Sequence, residues 1–142
     1  MNSVSKVFRF ISIVLIAFLL SVSVHAQTKK SDSANNAILD KVEIEASFPG
    51  GPQAWVKYIS NAIQDNINSF RRSDYGTCIV RFIVDTKGRI SDVEATTMKK
   101  SRLAKVAVDA ISNGPRWKPA QQNGKFVNAY RLQPVILESP GK

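Results

Sequence analysis

Apolar and polar residues alternate from position 42. Val42, Ile44, Ala46 and Phe48 interleave with Lys41, Glu43, Glu45 and Ser47. That period of two predicts a short strand or an extended arm. At "SFPGGPQAW" (Ser47 to Trp55) the pattern breaks. Pro52 suits the first turn of a helix, with Gly51 as the cap before it. Trp55, Ile59, Ala62, Ile63 and Ile67 then share one helical face. The stretch is therefore punctuation between arm and helix. It lacks the longer Gly-rich loop and Lys-Ser/Thr of a phosphate cradle. Residues 68–75 read as a loop.

Residues 77–85 form the clearest strand, with Cys78, Val80, Phe82 and Val84 on one face. Asp85-Thr86-Lys87-Gly88 is a turn. Residues 89–97 return as the hairpin partner. Ile90 and Val93 are out of phase, which predicts a bulge near Ser91 or Asp92. A second helix over 101–112 lines up Leu103, Ala107, Ala110 and Ile111, and Gly114-Pro115 stops it. Asn123-Gly124 is a turn signal. Residues 125–137 are the last strand, where Pro134 favours an edge or a bulge. The order arm, helix, hairpin, helix, strand (β-α-β-β-α-β) predicts an α+β domain, one antiparallel sheet with two helices on one face.

The N-terminus has a different character. Lys6 and Arg9 precede an uncharged apolar run from Phe10 to Val24, which ends in Val24-His25-Ala26. This layout predicts a secretory signal peptide over residues 1–26. Once cleaved, it leaves no stable membrane span; left uncleaved, the run would act as an anchor. Removing it takes Lys6 and Arg9 from the 20 basic residues, so the formal net charge falls from +9 to +7. Residues 27–41 read as a polar, disordered lead-in.

His25 is the one histidine of the chain and Cys78 the one cysteine. A mature chain without histidine cannot build a Ser-His-Asp or Cys-His device, and the usual Cys/His zinc sites are ruled out with it. One cysteine makes no internal disulfide, and its strand position predicts a small buried apolar side chain. Asp92 and Glu94 on one short strand do not flank a cleft as a glycosidase pair does. No enzyme activity, cofactor or metal is expected. Trp55 and Trp117 read as core. The basic residues Arg71, Arg72, Lys99, Lys100, Arg102 and Lys105 read first as a solvated face, with an acidic partner or anionic headgroups as the alternative. Nucleic acid is not expected as a partner, because the signal takes the protein out of the cytoplasm.

Phe48-Pro49-Gly50-Gly51 before a helix, the hairpin "GTCIVRFIVDTKGRISDVEA", Trp117-Lys118-Pro119 and Asn123-Gly124-Lys125 together resemble the C-terminal domain of the TonB energy transducers, especially the Bacteroidetes type. The resemblance runs from about residue 45 to 137 and sets the domain at 42–138, with 139–142 as a tail. It implies a stand-alone periplasmic domain, associated with transmembrane transport, that docks on TonB-dependent outer-membrane receptors. The receptor's short N-terminal TonB box would add as a strand beside the domain's last strand. The matching edge is residues 125–131, with Lys125, Val127, Asn128, Ala129, Tyr130 and Arg131 as the partner-binding residues. The chain departs from the family in two ways. It has no long Pro-rich spacer, and Ser69-Phe70-Arg71-Arg72 stand where the family often has a Tyr-Pro pair. Two alternatives stay open: a self-associating envelope domain, a homodimer by edge pairing, and an uncleaved inner-membrane-anchored miniature transducer.

Overall fold

The computed structural model describes residues 37–140. The expected signal peptide, most of the lead-in and the last two residues of the tail lie outside the described residues. Among those described, no helix is long and apolar enough to cross a membrane.

In chain order the elements are β1 (Ile38–Leu39), α1 (Gly51–Gln64), β2 (Gly76–Val84), β3 (Ile90–Ala95), α2 (Arg102–Ser112), β4 (Ala120–Gln122) and β5 (Lys125–Leu137). Two 3₁₀ turns, Ile67–Ser69 and Arg72–Asp74, fill the loop after α1. The strand order is β1-β5-β2-β3, with β4 pairing the start of β5. The fold is α+β, with two helices and a curled sheet. The sheet is antiparallel except at β1, which lies parallel on β5 with Ile38 opposite Asn128 and Leu39 opposite Ala129. This parallel strand corrects the all-antiparallel expectation, and it falls in the stretch read as lead-in. Ala37-Ile38-Leu39 is a short apolar run between Asn36 and Asp40, and pairing gives its strand residues backbone partners.

The sheet's inner face follows from alternation. Cys78, Val80, Phe82 and Val84 of β2 are fully buried, as are, nearly so, Ala129 and Val135 of β5. α2 covers them with Leu103, Ala104, Val106, Ala107 and Ile111. Ser101 caps α2, its Oγ accepting from the Ala104 N–H at 3.0 Å. α1 buries Trp55 and Ile59. It ends at Gln64, so Ile67 falls in the 3₁₀ turn and not on the helix face expected for it. Cys78 is buried, and that burial pushes its thiol pKa up.

The arm of residues 42–48 does not enter the β2–β5 ladder. It bridges residues 118–121: Ile44 pairs with Gln121 and Ser47 with Lys118. Phe48 thereby reaches an aromatic cluster, with its ring 5.5 Å from Trp55 and 5.8 Å from Trp117. Trp117 in turn meets Phe82 edge-on at 4.9 Å. Both tryptophans are buried.

The glycine pair is conformational punctuation. Gly50 is the cap of α1 at φ +86, and a Cβ there would lie 2.8 Å from Ala54 Cβ. The cap is thus Gly50, one residue before the one expected. The predicted bulge is present: β2–β3 slips register between Arg81 and Ile83, and Asp92 takes φ +51.

Candidate partner-binding edge

The direction each β5 residue faces is fixed by β2. Ile79 directs both backbone groups away from β5. Its N–H donates to Thr97 Oγ1 at 2.8 Å, and its carbonyl accepts from the Thr96 N–H at 2.7 Å. In an antiparallel ladder, opposed residues either bond each other or both turn away. Ile79 is opposite Pro134, and the register is unbroken from Gly76↔Leu137 to Val84↔Ala129. Pro134 therefore faces outward, and with the period of two so do Tyr130, Leu132 and Ile136. Among the described residues no strand pairs with this outer flank beyond Ala129. Leu132 and Ile136 offer N–H and C=O there, and Tyr130 and Pro134 a C=O alone, since the β1 register places the Tyr130 N–H against the Leu39 carbonyl.

The residues expected to bind a partner are divided by this geometry. Lys125 and Val127 pair with Gln122 and Ala120 of β4, across the Asn123-Gly124 turn. Both turn residues have positive φ, at +51 and +70, as a type I′ hairpin requires. Asn128 and Ala129 carry β1. Tyr130 and Arg131 pair with Ile83 and Phe82 on one flank. Of the six, only these two reach the stretch whose other flank has no strand. Leu132, Pro134 and Ile136, which continue it, lay beyond the expected edge. Their alternation was visible in the sequence, but the short β1 that shifts the free stretch toward the C-terminus was not.

Side chains alternate across the flank. Leu132 and Ile136 are 54% and 58% exposed on the open face, beside Arg81 stacked 4.7 Å over the Tyr130 ring. On the helix-covered side, Arg131 and Gln133 line a small cavity of about 120 Å³ with Phe48, Gly51, Trp55 and Trp117. Arg131 Nη1 is paired with Glu45, and Nη2 donates to Gln133 Oε1 at 3.3 Å. Arg131 Nε is buried without a hydrogen-bond partner.

Below the edge, two carboxylates hold loops. Asp74 is 5% exposed and accepts from the Arg71 N–H at 2.8 Å and the Arg102 N–H at 2.7 Å. Those backbone bonds hold its pKa below the ordinary value. Burial pushes Asp85 up, but N–H donors of Arg89 and Lys87 outweigh it, and its pKa is also lowered. Among the described residues no group of His, Cys, Asp and Glu side chains could hold a metal ion.

Residues 68–136 match the family of the Gram-negative bacterial TonB protein C-terminal. No curated protein and no solved structure matches the chain. The matched stretch takes in β2, β3, α2, β4 and nearly all of β5. Domains of this family are typically periplasmic and serve protein interaction and the transduction of energy for transport. Over residues 68–136 the sequence is thus similar to the C-terminal domain of TonB proteins, and the α+β fold is consistent with that likeness.

Proposed function

We propose that this domain, secreted into the periplasm, binds the TonB box of a TonB-dependent outer-membrane receptor as an added strand on β5. The observation that carries the reading is the outer flank of β5 from the Tyr130 carbonyl to Ile136, whose outward backbone groups have no strand partner among the described residues. Such a flank gives affinity through main-chain hydrogen bonds and selectivity through alternate side chains. β1 supports the reading, since it already lies parallel on the same flank at Asn128 and Ala129. An added segment either continues past β1 or displaces it. Of the residues first expected, Tyr130 and Arg131 meet the segment directly, and Lys125, Val127, Asn128 and Ala129 border it.

Calorimetry of residues 27–142 with synthetic TonB-box peptides tests the reading. A dissociation constant tighter than about 1 mM, lost when the peptide's central residue is proline, supports strand addition. Absence of heat at millimolar peptide contradicts it. Exposed Leu132 and Ile136 beside the free flank favour a second reading, pairing of two copies through β5. A mass that rises with concentration in sedimentation would select it.

A further inference from the structure

Away from β5 the molecule carries a concentrated positive charge. The loop after α1, the turn before α2 and the first turn of α2 line an open cleft of about 670 Å³. Arg71, Lys99, Lys100, Arg102 and Lys105 line it. None of its lining residues belongs to β5.

The charges there have little to neutralise them. Among the described residues Arg71, Lys99 and Lys100 enter no ion pair. Arg102 is held by neutral groups, its Nε donating to Ser69 Oγ and its Nη2 to Asn66 Oδ1, both at 3.1 Å. Lys105 has only Asp109, at 4.0 Å. Asp74 is the sole acidic residue in the lining, and its two oxygens are taken by the Arg71 and Arg102 N–H groups. That carboxylate fixes the loop to the start of α2 and so holds the cations around one concavity.

A solvated basic face spreads its side chains over a convex surface. Here basic residues from three segments line one open depression of small-ligand size. The side chains that carry the charge are hydrogen-bond donors without acceptors, and a compact anion with several oxygens satisfies such a set best. We propose that this cleft is a phosphate-binding site, separate from the strand-docking edge. The phosphate arrives on an anionic lipid headgroup or on a free phosphorylated solute.

Two probes and two matched variants test this. Inorganic pyrophosphate is titrated into the protein and followed by amide NMR. Sedimentation with phosphatidylglycerol vesicles, against phosphatidylcholine alone, provides the membrane arm. Lys99→Gln with Lys100→Gln removes two charges from the cleft. Lys57→Gln with Lys118→Gln removes two exposed charges elsewhere, and equal thermal midpoints show that both variants fold. Shifts at Ser73, Asp74, Ser101 and Arg102, and a loss of about tenfold or more in the cleft variant alone, support the site. Pyrophosphate binding with that pattern assigns a soluble phosphate; vesicle binding alone with that pattern assigns the headgroup. Equal weakening by both variants, or no binding of either probe, overturns the proposal.

Discussion

Ile79 and Pro134 oppose each other across β2 and β5 without bonding each other, because Ile79 turns both its backbone groups toward Thr96 and Thr97. The missing N–H of Pro134 therefore costs the β2–β5 ladder nothing. The same relationship leaves the neighbouring outward residues with groups that no strand uses.

A second proline on the outer flank separates folding from docking. Leu132→Pro removes an outward N–H and leaves the β2 bonds in place. Its expected cost is about 1 kcal/mol or less in urea unfolding, with loss of TonB-box binding. Gln133→Pro removes a donor that faces Val80 in the ladder. It is expected to cost about 1–3 kcal/mol and to lower the thermal midpoint clearly.

The short β1 competes for the flank. Deleting residues 1–40 removes β1 from beside Asn128 and Ala129 and lengthens the available edge. Peptide affinity is expected to rise about threefold or more in calorimetry. Unchanged or weaker binding would mean that the segment does not reach these two residues.

The β2–β3 turn is tied to Trp117 through one glycine. The Trp117 N–H donates to the Gly88 carbonyl at 3.0 Å. Gly88 sits at φ +76, and a Cβ there would lie 2.0 Å from the Trp117 carbonyl oxygen. Gly88→Ala is expected to destabilise by about 2–4 kcal/mol in denaturant unfolding, through both backbone strain and displacement of Trp117. A loss below about 0.5 kcal/mol would contradict this packing.

Acid should loosen the loop after α1. The folded pKa of Asp74 is lowered, so its stabilising effect is fully present above the unfolded value of about 3.9 and is lost as pH falls through the folded pKa. The protection factors of the Arg71 and Arg102 amides, whose N–H groups bond this carboxylate, are expected to fall below about pH 4. In Asp74→Asn both amides should exchange faster at neutral pH already, with a weaker dependence on acid.

Much of this was legible in the residues. The alternation of Cys78, Val80, Phe82 and Val84, the Gly88 turn and the stop at Gly114 mark the hairpin and α2, because those patterns follow from local geometry. The bulge at Asp92 showed itself as Ile90 and Val93 out of phase. Less legible were contacts between distant segments. No local pattern pairs Ile38 with Asn128 or Glu45 with Arg131. The sequence therefore places the candidate edge at residues 125–131, while its strand-free part begins at the Tyr130 carbonyl. Pro134 did signal an edge, and its outward direction became readable only once Ile79 was seen to bond the other way.

Amide hydrogen exchange of the domain with and without TonB-box peptide tests strand docking most directly. Protection of the Leu132 and Ile136 amides on peptide addition, with β3 unchanged, is the result this account predicts. Protection along Ile90–Ala95, or none at saturating peptide, would contradict it.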